Sequence, residues 1–113
     1  MKIYHLKTCD TCRRAIKALK VAGHDPVLHD VRADGLDIAT VEALEAELGF
    51  AALVNKKSTT WRGLDDATKE GLSRETAIPL LVENPTLMKR PVIDHDGHYT
   101  VGWTKDVQAG YGA

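Results

Sequence analysis

The spacing of apolar residues changes period several times along the chain, and each change marks an element. Residues 3–6 form a short run, Ile3-Tyr4-His5-Leu6, whose β-branched and aromatic members predict a first strand. Over 11–22 the apolar Ala15, Ile16, Leu19 and Ala22 recur at helical spacing against the basic Arg13, Arg14, Lys17 and Lys20. This predicts an amphipathic helix, stopped by Gly23 and followed by a turn at His24-Asp25-Pro26. Residues 27–31 read as a second strand. The opening is therefore βαβ, and its two strands are parallel by the crossover rule.

A second pattern follows. Asp37 caps a helix bearing Ile38, Val41, Leu44 and Leu48, which ends at Gly49. A short apolar run covers 50–54, and 55–63 reads as a polar loop. Asp65-Asp66 starts a short helix, and Ser73 starts another that runs through Val82 with a break or kink near Pro79. Residues 91–94 and 99–103 predict a hairpin closed around Asp96-Gly97, a strong turn pair. The tail from Thr104 is Gly-rich at its end and is expected to fray, leaving a remnant of a final helix. The expected architecture is a single α/β domain over 1–113. Its mixed sheet is flanked by helices, and a helical insertion (about 37–84) separates the βαβ half (1–31) from the hairpin half (about 90–103).

Composition narrows the function classes. The 113 residues are 43% hydrophobic and 27% charged, with a net charge of −1, so no overall field favours nucleic acid or an anionic membrane. No apolar run approaches the roughly 20 residues of a membrane span. The chain enters its first strand without a signal-peptide pattern, and two closely spaced cysteines are not a secreted disulfide framework. The expectation is a cytoplasmic protein with no membrane or direct nucleic-acid partner.

Both cysteines stand in Cys9-Asp10-Thr11-Cys12, between the first strand and the first helix. In that setting C-x-x-C reads as a redox motif. A helix opening near Cys9 aims unsatisfied N–H groups and the positive end of its dipole at the first sulfur. Lys7 and Arg13 add charge nearby, so the Cys9 thiol is expected to ionise below the usual value of about 8.5. Cys12, one turn on, lies within the Cα separation that a disulfide needs. Cys9 is the attacking thiol and Cys12 the resolving one. Two other readings are open: half of a zinc site completed by His95 and His98, or a pair of buried small hydrophobes. The spacing of the histidines and the polar neighbours of the cysteines count against them, and no metal is expected.

Several stretches carry a resemblance over essentially the whole chain. They are Ile3-Tyr4-His5 ahead of Cys9, Asp34-Gly35-Leu36-Asp37, and Leu53-x-Asn55 running into Thr59-Thr60-Trp61-Arg62-x-Leu64-Asp65. Lys89-Arg90-Pro91-Val92 and Val101-Gly102-Trp103 complete the set. Together these resemble the arsenate reductase (ArsC) family, most closely its YffB-type branch, while Cys9-x-x-Cys12-Arg13 is similar to Spx. The resemblance implies a thioredoxin-like, glutaredoxin-type fold with a helical insertion. It implies that Arg90 binds an oxyanion, and that the Arg90–Pro91 bond is cis and faces the cysteine loop. Pro91 lacks an N–H, which leaves the preceding backbone free to pair with an extended thiol substrate. His5 lies behind the loop, either tuning Cys9 or simply satisfied there. His5, Lys7, Thr11, Arg13, Asn55, Thr60 and Pro91 are the expected substrate or glutathione contacts. Two further oxyanion arginines of the arsenate reductases fall at or beside Asn55 and near Trp103, which are not arginines. One guanidinium is a weak clamp for a doubly charged arsenate.

These readings imply a thiol–disulfide oxidoreductase that binds no cofactor and uses glutathione as co-substrate. Its partners are glutathione or a glutaredoxin- or thioredoxin-type reductant, and a small thiol or disulfide substrate. The alternatives are a Spx-like redox-sensing regulator that binds RNA polymerase and a glutaredoxin-dependent arsenate reductase.

Overall fold

The computed structural model describes residues 1–113, which form two compact units. The first comprises Met1–Asp34 and Arg90–Ala113, the second Gly35–Lys89.

In the first unit, β1 (Lys2–His5), α1 (Asp10–Val21) and β2 (Val27–Asp30) are followed by β3 (Val92–His95), β4 (His98–Val101) and a C-terminal helix, Lys105–Gly110. The strands form one mixed sheet in the order β2-β1-β3-β4. β1 lies parallel to β2, with Ile3 opposite Leu28, and antiparallel to β3, with Ile3 opposite Ile93. The helical periodicity of α1 has its expected result. Ala15 and Leu19 are fully buried against Ile3 and Ile93, with Met1, Ile16, Trp103 and Tyr111 packed around them. Burying each large aliphatic side chain of this kind contributes about 1.5–3 kcal/mol. The hairpin closes as expected at Asp96-Gly97, whose positive φ values of 54° and 79° match the tight turn that suits twisted strands.

The second unit is helical. It contains α2 (Ile38–Leu48), α3 (Phe50–Leu53), α4 (Thr59–Arg62), α5 (Asp66–Glu70) and α6 (Arg74–Glu83), then a 3-10 turn at Pro85–Leu87. With its helices numbered to α6, the C-terminal helix of the first unit is α7. α2 and α6 pack together, and α3 touches both. The half-exposed Arg74 of α6 pairs with Glu45 of α2, whose carboxylate is buried. Asp37, Ser58, Asp65 and Ser73 each accept the N–H three residues on, so every helix except α3 starts at a side-chain cap. No helix is long and apolar enough to cross a membrane.

Three local expectations are corrected. The polar stretch 55–63 is not all loop, because Ser58 caps the short α4 within it. α6 runs through Pro79 without a break. Pro79 and Glu75 are both exposed there, so the carbonyl left without its helical donor faces water. The tail does not fray. Thr104 caps α7, and the Tyr111 hydroxyl bonds Thr100 Oγ1 at 2.8 Å, which ties the chain end back to β4.

Candidate active site around Cys9

Strand β1 ends at His5, and the chain turns so that the Cys9 N–H donates to the Leu6 carbonyl at 3.0 Å. Cys9 is the N-cap of α1, with an extended backbone, and its Sγ accepts the Cys12 N–H at 3.4 Å. A sulfur thus occupies the place where a capping oxygen usually satisfies an orphan donor of the first turn. Cys12, one turn later, is fully buried, while Cys9 is partly exposed. The two thiols are therefore unequal by position alone.

Their acidities separate in the same direction. Burial pushes Cys9 up, but the Cys12 thiol and N–H hydrogen bonds, then the charge and hydrogen bond of the Arg90 guanidinium, outweigh it. The net result is a Cys9 pKa below its ordinary value. Burial pushes Cys12 up, helped by its hydrogen bond to Cys9, to about 12. The first proton the pair gives up therefore comes from Cys9, and Cys12 keeps its own.

The source of positive charge differs from the sequence-based expectation. Arg13 is turned away: its Nε donates to the Lys7 carbonyl at 2.9 Å and its guanidinium pairs with Asp10 at 3.2 Å. It braces the loop rather than charging the sulfur. Arg90, far along the sequence, is the cation beside Cys9. The Arg90–Pro91 bond is cis, as the resemblance implies, and the Pro91 carbonyl accepts the Gly102 N–H at 2.9 Å.

Other expected residues are placed as follows. His5 is buried, and burial, more than any neighbouring charge, holds its pKa low. The hydroxyl of Thr11 accepts from Arg14 at 3.4 Å. In the second unit, Asn55 is a turn residue whose Oδ1 accepts the Lys57 N–H at 3.0 Å, and the Thr60 hydroxyl shares a 2.8 Å hydrogen bond with Thr86. The backbone before Pro91 is not wholly free, because the Lys89 N–H donates to the Leu53 carbonyl at 2.7 Å. The Val54–Met88 bridge extends pairing up to that residue. Trp103 packs against the core cluster.

Asp30 is a residue that the pattern reading passed over. Its carboxylate accepts N–H groups from Arg32 at 2.9 Å and Ala33 at 3.0 Å, and from Lys7 at 3.3 Å. The bond from Ala33 leads the causes that hold its pKa low. It links the end of β2 to the start of the cysteine loop. The local signal was an Asp at a strand end followed by a turn, where such side chains bond their own backbone.

The zinc reading fails on geometry. β3 runs antiparallel to β1, and Lys2 opposes Asp94, so His95 lies at the end of β1 away from the cysteine loop. No cluster of three or more candidate metal ligands is present.

With this geometry the chain resembles several known proteins. An uncharacterized protein of Haemophilus influenzae is 44% identical over 110 residues, covering 96% of each chain. The solved structure of the YFFB (PA3664) protein is 34% identical, with a TM-score of 0.92 over 99% of this chain and 98% of its own. An arsenate reductase (ArsC) related protein from Brucella melitensis is 31% identical, with a TM-score of 0.77 over 96% and 91%. The mixed sheet with flanking helices is the thioredoxin-like fold of these neighbours. The ArsC family model matches residues 4–109, and the chain belongs to the ArsC family.

Proposed function

We propose that the chain is a thiol–disulfide oxidoreductase in which Cys9 is the nucleophile. The observation that carries this reading is the Cys9 sulfur at the helix N-cap, partly exposed beside Arg90 and one turn before a buried Cys12. In the first step the Cys9 thiolate attacks one sulfur of a substrate disulfide. A bond forms between those sulfurs, and the other substrate sulfur leaves as a thiolate. Cys12 then gives up its proton and attacks the Cys9 sulfur. The Cys9–Cys12 disulfide forms, and the second substrate sulfur departs as a thiol. The substrate gains two electrons and one proton from the cysteine pair, and its released thiolate takes a second proton from water. Two glutathione molecules, or one glutaredoxin- or thioredoxin-type dithiol, return the electrons to the pair. Without Cys12, glutathione attacks the mixed disulfide directly.

Arg90 stabilises the attacking thiolate in this scheme, and Arg13 and Asp30 brace the loop. Arsenate is the less favoured substrate, since Trp103 is committed to packing and Asn55 to a turn, which leaves Arg90 to meet a dianion. A transient disulfide of this kind suits a reducing compartment such as the cytoplasm.

Intact mass after mild peroxide, followed by glutathione, tests the scheme. The wild type should lose two hydrogens and regain them with glutathione, whereas Cys12→Ser should carry a glutathione adduct on Cys9. A Cys9 that stays unmodified in both proteins defeats the proposal.

A further inference from the structure

Helix α1 does more than cap a sulfur. Its solvent side carries Arg13, Arg14, Lys17 and Lys20 in sequence from the Cys9 end, and Asp10 is its one acidic residue. At 100° per residue these positions fall on one stripe, opposite the buried Cys12, Ala15 and Leu19. Asp10 is neutralised by Arg13, whereas neither Lys17 nor Lys20 is in an ion pair. On the same stripe Val21 is 82% exposed, more than any other large apolar side chain of the chain. It forms a ridge between two grooves. One, of about 410 Å³, is lined by Arg13, Ile16, Lys17, Lys20 and Val21. The other, of about 430 Å³, lies toward the C-terminus beside Arg14, Lys17, Ala18 and Ala22.

An uncompensated basic row with an apolar ridge, running roughly 18 Å away from a nucleophile, has the shape of a docking rail. Glutathione is too short to span it. Val21, the last residue of the helix beyond Lys20, adds an exposed apolar contact to the end of the row. We propose that this stripe docks an acidic polypeptide segment, carrying carboxylates for Lys17, Lys20 and Arg14 and apolar side chains beside Val21. That segment presents its own sulfur to Cys9. The inference rests on the oxidoreductase reading for the sulfur step, but not for the docking.

The test separates the two. An acidic peptide with Glu and Leu but no cysteine is titrated into isotopically labelled protein, alongside a copy with Gln for Glu. The expected result is shifts confined to Arg14, Lys17, Lys20 and Val21 with the acidic peptide. They should fade as salt shortens the Debye length below about 10 Å, and they should vanish in Lys17→Glu/Lys20→Glu. Disulfide forms of both peptides are then timed against Cys9. The acidic one should react roughly tenfold faster at low salt, an advantage the double variant loses. Equal shifts from both peptides, shifts elsewhere, or tighter binding of a DNA duplex or of anionic vesicles to the same stripe overturns the docking proposal. Shifts on the stripe with a Cys9 inert to both disulfides uphold the docking surface and overturn the oxidoreductase reading instead.

Discussion

The sheet of the first unit carries very different chemistry at its two ends. Beyond the C-terminal end of β1, Cys9 sits beside a guanidinium, and its capping bond leaves the sulfur partly open to solvent. At the opposite end His24, His95 and Tyr111 meet edge to face, with ring centroids 5.8 to 6.1 Å apart. His24 Nε2 also bonds the Tyr111 carbonyl at 2.8 Å. In the sequence the His-x-x-His pair is the one other group that could join the cysteine pair in chemistry, as ligands of a shared zinc. In the fold one pair contributes a ring to a cluster that holds the chain terminus, and the other stands at a helix start beside Arg90. Ring packing covers His95 Nδ1 and leaves it without a hydrogen-bond partner, whereas the Cys9 sulfur is held between the Cys12 N–H and the Arg90 guanidinium.

The largest effects should come from the cysteine end. Cys9→Ser should abolish disulfide exchange. Cys12→Ser should keep the first attack but stall at the mixed disulfide until another thiol arrives, as stopped-flow kinetics against glutathione concentration would reveal. If Cys12→Ser cycles like the wild type at every glutathione level, the buried thiol is a bystander.

Arg90→Gln should raise the Cys9 pKa, because the guanidinium favours only the charged form. Iodoacetamide labelling of Cys9 near neutral pH should then slow by about three- to tenfold, since the rate follows the thiolate fraction. An unchanged rate would mean that the Cys12 donors alone hold the charge. Lys7→Gln and Arg13→Gln should shift the profile less.

Cys12 gives a stability signature of defined sign. Its folded pKa of about 12 lies above the ordinary 9.0, so the unfolded chain releases this proton first as the pH rises. Stability attached to Cys12 is full below about pH 9 and is lost on the way to about 12. Melting curves of Cys9→Ser should therefore fall more steeply across that window than those of Cys9→Ser/Cys12→Ala. Parallel curves would show that the buried thiol ionises as easily folded as unfolded.

At the histidine end the effects should be smaller and confined to stability. Tyr111→Ala, which removes the ring contacts and the Thr100 hydrogen bond, should cost about 1–3 kcal/mol in urea unfolding. Thr104→Ala should cost about 1 kcal/mol through loss of the α7 cap. Cys9 labelling should be unchanged in both. A slowed Cys9 would show that the two ends are coupled.

What the sequence determined by itself is whatever short spacing controls. The 3.6-residue period of Ala15, Ile16 and Leu19, the caps at Asp37 and Ser73, the Asp96-Gly97 turn and the one-turn separation of Cys9 and Cys12 involve partners a few residues apart. Backbone geometry leaves them little choice. The same proximity misled where side-chain direction mattered. Arg13 is near Cys9 in sequence, yet its guanidinium bonds Lys7 and Asp10. Sequence proximity made the tail look loose too, because its anchors on His24 and Thr100 lie on other elements. Arg90 entered from the sequence only through the family resemblance. The tertiary structure decided that it, not Arg13, is the cation beside the sulfur, that Asp30 reaches back to Lys7, and that His95 stands at the far end of the sheet from Cys9. Each of these depends on strand order and register. Pairing β1 with β3 brings residue 90 to residue 9, and no local pattern along the chain encodes that pairing.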